Sequence, residues 1–420
     1  MWLCMGGVRQ RPRLNMSDTA PLAWSGTSDK GSYYRLYAGY VVALFATGIA
    51  TVALALFAFD LAGEDSGAII GTALSLKMLA YVLAAPVVTV LTDRIPRKAL
   101  LIGLDVVRAA SLLLLPFVTQ VWHIYALVFV FALASATFGF VYLAIVPYLL
   151  GSEEDYTRSL ARSRIAAELE TSVSPLLAAG LMVLLATKGL FVLAAGAFVL
   201  SALLVKAARI PRHLTTRQGG VWEKLFRGPR LFVAVPVFRA VIALDMAVAL
   251  ASAMVMVNTV VLVQGFLHLD RDALALAFFA FGLGSIIGAV LMPALLARVS
   301  ERRLIFFGAA LLCLGLALGA AQTRLFGLLA LWALLGFGAA WVLTPVTYLI
   351  RRLAAPADLQ TLFVAQMTIA NLCLLVAYPL AGWLGASLGL RLTFLILAGL
   401  TALATLIAAR LWPPDAAVVT

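Results

Sequence analysis

Lys77, Asp105, Arg108, Glu168, Glu170 and Asp245 stand inside long apolar runs of the chain. A charge at the centre of a bilayer costs about 2.5 to 3.5 kcal/mol on insertion scales, so each is a candidate for function. The chemistry open to a buried carboxylate is proton binding: it holds a proton while dry and releases it when water or a cation arrives. Asp245 is the first choice, because at about 18 Å from the inner end of its run it is the deepest. Lys77 lies about 15 Å into its own run, and a lasting partnership of Asp245 with Lys77 or Arg239 would instead make the aspartate structural. Asp105 and Arg108, three residues apart, share a helix face and read as an ion pair near the inner surface. Glu168 and Glu170 point about 200° apart around a helix, the first toward Arg164 and the second toward a neighbour.

Metal chemistry needs clustered His, Cys, Asp or Glu. The three histidines, His123, His213 and His268, and the three cysteines, Cys4, Cys313 and Cys373, are far apart in the chain. The remaining donors are carboxylates, the amides Asn258, Gln264, Gln366 and Asn371, and the methionines Met246, Met254 and Met256, which in apolar helices usually pack. Metal ligands are therefore left unassigned. Tyr142, Trp332, Trp341 and Trp383 either line an aromatic pocket for an organic cation or anchor at the membrane interfaces, and the sequence leaves both open.

The elements that must position these residues follow from composition. Of 420 residues, 64% are hydrophobic and 12% charged, against about 45 to 50% and 25% in soluble domains. The excess must face lipid, so this is an all-α membrane protein. Twelve runs are long enough to cross a bilayer, near 36–60, 67–91, 99–118, 121–148, 161–186, 188–206, 233–264, 272–297, 304–321, 324–350, 361–386 and 391–411. With both termini cytoplasmic, 24 of the 31 Lys and Arg residues fall on the inner side, as membrane topology favours. The net charge of +12 thus belongs to loops, and nucleic acid is not an expected partner. A polar segment at 207–232 divides the spans into an N-terminal half, 36–206, and a C-terminal half, 233–411. Residues 1–35 are expected to be a disordered cytoplasmic tail in which Met16 is a possible true start, and 412–420 a second tail. The halves repeat weakly: a shift of 203 places Asp155 on Asp358 and Glu168 on Asn371, and brings Ser174–Gly180 close to Tyr378–Gly385. No nucleotide-binding GxxxxGK[ST] and no HExxH or GxSxG with partners occurs, so neither a cofactor nor an enzyme is expected.

Between the second and third spans the chain reads TDRIPRKALL. With Thr89, Asp93, Arg94, Pro96, Arg97 and Lys98, this stretch resembles the GxxxDRxGRR loop signature of the major facilitator superfamily, with both glycines replaced. The second-half turn, Ala297–Arg303, keeps the basic residues and loses the aspartate. In the fifth span Ser174, Pro175, Ala178 and Ala179 occupy the positions of the glycine-rich GPxxGG pattern of exporters in that superfamily. Stretches such as YVVALFATGIATVALALFAFDLAG, MVMVNTVVLVQ and YPLAGWLG are most similar to its nickel-resistance and related efflux branch, although histidine-rich tails are missing. The resemblance implies a monomeric inner-membrane carrier that works by alternating access and exports a toxic cation such as nickel in exchange for protons. Amphipathic drugs, siderophores or other small metabolites are the alternative cargo. It further implies that Asp93, Arg94, Arg97 and Lys98 form a conformational latch. Asp245, Glu168, Glu170, Lys77, Asn258 and Asn371 are then the candidates for proton coupling or substrate contact.

Overall fold

The chain enters its first helix through a cap. Asp29 accepts hydrogen bonds from the Ser32 backbone N–H (2.9 Å) and the Ser32 hydroxyl (2.8 Å), which satisfies donors that a helix start leaves open. The helix α1 therefore runs Lys30–Ala62. Residues 30–35, expected to belong to a disordered tail, are helical instead. Tyr33 and Leu36 are buried there, and the Ser32 hydroxyl in turn accepts from the Arg209 N–H at 2.8 Å.

The computed structural model describes residues 29–62, 66–150, 185–210, 221–322, 324–353 and 359–413, with isolated positions between 152 and 181. Most of the expected fifth span lies outside the described residues. After α1 come α2 (Ser66–Arg94), α3 (Arg97–Leu114) and α4 (Val121–Leu149), then α5 (Thr187–Ala207), the short α6 (Val221–Ala234) and α7 (Pro236–Val260). The C-terminal half continues with α8 (Arg271–Leu296), α9 (Glu301–Gly319), α10 (Leu325–Leu353), α11 (Leu359–Leu388) and α12 (Leu390–Leu411). Eleven of the described helices are long and apolar enough to span a membrane, and no strand occurs among the described residues. Their outward faces carry exposed Val106, Leu203, Val290 and Leu406, the side chains a lipid environment requires.

Punctuation follows local chemistry. Pro96, extended at ψ 130°, ends α2 and opens α3. Asp270 caps α8 by accepting from the Ala273 N–H. Gly389, at φ 78°, makes the turn from α11 into α12. Two features depart from the sequence reading. The 207–232 segment, expected as a loop, contains the start of α6, and the seventh span begins at Pro236 rather than 233. The two helices are held together where buried Phe232 stacks on Phe238 at 4.6 Å. Beyond Val260, α7 widens into a π-helical turn, Val261–Phe266.

Within the N-terminal half α1 packs on α5, α3 on α4 and α5, and α2 on α4; within the C-terminal half α8 and α9 pack on α10, and α7 on α11 and α12. The halves meet mainly through α2 and α11. There the backbones nearly touch: a Cβ on Gly382 would lie 2.2 Å from the Gly67 carbonyl oxygen, and one on Gly71 would lie 2.5 Å from that of Tyr378. Two hydrogen bonds cross the same seam, from the Ser75 hydroxyl to the Leu375 carbonyl (2.8 Å) and from Trp383 Nε1 to the Thr72 hydroxyl (3.1 Å).

Candidate functional site

Asp245 lies nine residues into α7, about 14 Å along it rather than 18 Å, because the helix starts later than expected. Only 3% of it is exposed. Gln366, seven residues into α11, donates its amide N–H to both carboxylate oxygens at 2.8 and 2.9 Å. The Cys373 thiol, two turns further along α11, feels the same charge. Neither cation proposed as a lasting partner is engaged with Asp245. Lys77 Nζ donates to the Thr51 hydroxyl of α1 at 3.2 Å, and exposed Arg239 turns back to the Val233 carbonyl at 2.8 Å. The structural reading of Asp245 as half of an ion pair with either is therefore corrected.

A second polar group occupies the N-terminal half. The charge of Glu170 acts on Lys77 in α2 and on the hydroxyls of Tyr40 and Tyr81. Gly48 of α1 admits it: a Cβ there would meet the Ser174 side chain at 2.2 Å and a Glu170 carboxylate oxygen at 2.8 Å. Glu170, expected to face a neighbouring helix, thus faces α1. Glu168, Pro175 and Ala179 lie outside the described residues, while Ala178 is buried in the core.

Asp105 and Arg108 are joined on α3 by a hydrogen-bonded ion pair, both fully enclosed. The Ser201 hydroxyl donates to the other Asp105 oxygen at 2.9 Å. The guanidinium lies 4.2 Å from the Phe138 ring and 4.5 Å from the Phe198 ring, a cation held between two aromatic faces. At about 12 to 16 Å from the start of α3, the pair is deep in the N-terminal half rather than near the inner surface as expected.

The loop between α2 and α3 is tied within its own half. Arg97 donates to the Ala144 carbonyl (3.3 Å) and Lys98 to the Ala208 carbonyl (2.8 Å); the side chains of Asp93 and Arg94 lie outside the described residues. In the corresponding turn of the second half the carboxylate is supplied by Glu301, paired with Arg352 at 2.8 Å. That end of the C-terminal half holds a hollow of about 650 Å³ lined by Glu301, Arg302, Tyr348, Arg352 and Trp412, among others, a separate place from Asp245.

Asn258 belongs to the seam between the halves. Its amide donates to the Ala381 carbonyl at 3.0 Å, and its side-chain oxygen is buried where Gly67 and Gly385 leave room. Asn371 is half-buried on α11. The four aromatic residues do not share a pocket. Trp332 is buried and bonded to Thr259, Tyr142 is buried and stacked on Tyr40 at 4.2 Å, Trp341 packs on Phe337, and Trp383 is 59% exposed at the seam. No three His, Cys, Asp or Glu side chains converge as metal ligands among the described residues.

Residues 36–262 and 242–419 each match the family model of the Major Facilitator Superfamily. Macrolide efflux protein A of Streptococcus pyogenes is 27% identical over 188 residues, which is 44% of this chain and 46% of that protein. The match thus spans about half the length of the curated relative. Among solved structures, the nucleoside transporter NupG superposes with a TM-score of 0.72 at 13% identity, covering 91% of this chain and 100% of that one. A bacterial homologue of the human lysosomal transporter Spinster, in an inward-facing and unoccupied conformation, superposes with a TM-score of 0.69 at 13% identity over 92% of this chain and 98% of its own.

Proposed function

We propose, from the premise that this chain belongs to the Major Facilitator Superfamily, that this multi-pass membrane transporter exports amphipathic organic compounds in exchange for protons. Asp245 is the proton-binding group. The observation that carries the reading is the Asp245 environment: a carboxylate deep in a membrane helix whose hydrogen-bond partner is a neutral amide. An ionised group there has no cation to balance it among the described residues, and a proton supplies that balance.

The organic cargo is supported by the likeness to a macrolide efflux protein. Nickel, the cargo implied by the textual resemblance, would need ligands that converge, and the described residues bring Asp245 together with only one thiol, Cys373. Lys77 and Glu170, with Tyr40 and Tyr81, form the polar wall of the N-terminal half that faces the cargo.

The distribution of Lys and Arg supports an inner-membrane location with both termini cytoplasmic. In that orientation the α2–α11 seam closes the outer side, and the conformation is inward-facing. Arg97 and Lys98 then brace the inner turn of the N-terminal half as part of the latch to which the signature residues Asp93 and Arg94 are assigned, and the carrier works as a monomer. The test is accumulation. Cells lacking their own efflux pumps and expressing the chain are expected to hold less radiolabelled macrolide than vector controls, at unchanged cellular nickel. Lowered nickel at unchanged macrolide would reverse the choice of cargo.

A further inference from the structure

We propose that Gln366 is a positioning residue that follows the protonation state of Asp245, an inference that rests on Asp245 being the proton-binding group. In this structure one amide nitrogen serves both Asp245 oxygens, while the Gln366 carbonyl oxygen is buried with no hydrogen-bond partner among the described residues. The donor and the acceptor sit side by side on the flat end of one side chain. An ionised aspartate only accepts hydrogen bonds, whereas a protonated one presents an O–H donor. By turning its amide, Gln366 pairs with the first form through nitrogen and with the second through the oxygen now unused. A lysine or arginine in its place would only donate and would favour the ionised form throughout.

The surroundings leave this role to Gln366. Among the described residues, the elements packed on α7, namely α1, α2, α6 and α8 to α12, bring to Asp245 the Gln366 amide and the Cys373 thiol and no cationic side chain. Gln366 also stands at a junction. Its neighbour Ala365 packs on Gly228 of α6, where an added Cβ would lie 3.2 Å away. Nine residues along the same helix, about 14 Å outward, Leu375 receives the bond from Ser75 across the seam. The helix that registers the proton is therefore the one that touches both the linker and the other half.

The experiment is a pH titration of the purified protein in lipid nanodiscs by infrared difference spectroscopy, reading the carbonyl stretch of protonated carboxyl groups without any cargo. Asp245→Asn identifies the band of Asp245 by removing it. In Gln366→Met both forms of Asp245 lose their partner, but the ionised form loses the stronger, charge-assisted bond. The band is therefore expected to titrate with its midpoint about one pH unit higher and to move to higher wavenumber as the protonated O–H loses the Gln366 oxygen, at an unchanged melting temperature. A midpoint that does not move overturns the role of Gln366 while leaving Asp245 as the proton site. A spectrum identical in wild type and Asp245→Asn overturns the proton-binding reading itself, and the inference with it. Should Gln366→Met not fold, Gln366→Asn, which withdraws the amide by one methylene, carries the same outcomes.

Discussion

The crossing of α2 and α11 converts one methyl group into a measurable shift between conformations. In Gly382→Ala the new Cβ would stand 2.2 Å from the Gly67 carbonyl oxygen and 3.2 Å from the Gly71 Cα, where ordinary contact begins at 3.4 Å. Its neighbours are backbone atoms of a helix and cannot retreat as a side chain would, so the helices must part by about 1 Å. Overpacking of this kind costs about 1 to 3 kcal/mol. The strain exists only while the halves are closed at this seam, so it acts as a bias of about 5- to 150-fold toward the conformation in which they are apart. Spin labels at Gln120→Cys and Ser387→Cys, exposed positions in the two halves, report that opening by electron paramagnetic resonance in a background without native cysteines. Gly382→Ala is expected to move the distance distribution to longer values at an unchanged melting temperature. The contrast is Gly336→Ala, whose Cβ would lie 2.0 Å from the Phe281 carbonyl oxygen inside the C-terminal half; it should lower the melting temperature and leave the label distance alone. An unchanged distribution in Gly382→Ala would show that closure of the seam carries no such strain.

Two further outcomes follow from the packing. Arg108→Met leaves Asp105 buried without its cation and is expected to destabilise by about 3 to 5 kcal/mol, whereas Asp105→Leu combined with Arg108→Met should recover most of the loss. Equal melting temperatures for the single and double variants would show that the pair carries no such penalty. At the start of α1, outside the membrane, the Ser32 backbone N–H first and its hydroxyl second hold the Asp29 carboxyl below the usual carboxylate range. A lowered folded-state value means stabilisation that is present above the unfolded value and lost as pH falls through the folded one. The protection of the amides of residues 30–33 from hydrogen exchange, taken relative to the intrinsic rate at each pH, should therefore fall in acid, and Asp29→Ala should show that low protection already at neutral pH; a cap that protects equally at both pH values would contradict this.

Much of the fold was legible because lipid imposes a single demand, about 20 apolar residues per span, and the runs that meet it are plain. The cap escaped the sequence: Asp29 followed three residues later by Ser32 fits a helix start, but it stood in a segment that composition marked as a tail. What escaped was short or distant. The helix α6 carries Glu, Lys and Arg among its apolar residues and follows Gly219 and Gly220, a composition that reads as loop until α11 offers a surface to pack on. The bond between Asp245 and Gln366 spans 121 residues, and no local spacing announces it. One signal was available: both lie within about 11 to 14 Å of the inner ends of their spans, and residues at equal depth in neighbouring helices can meet. Lys77 lies further out, 17 residues or about 26 Å from the inner end of α2, and nothing in its spacing revealed that α1 would claim it through Thr51. The four aromatic residues failed as a pocket for the same reason, since residue type says nothing about which face of which helix a ring occupies.

The proposed exchange turns on Asp245 taking up and releasing the proton that moves against cargo. The direct measurement is proton movement in proteoliposomes loaded with a pH-sensitive dye, on addition of a macrolide or of nickel to the purified protein. A proton signal is expected with the macrolide and is expected to be absent in Asp245→Asn, while that variant still binds the macrolide and inserts normally. A proton signal of full size in Asp245→Asn would contradict it.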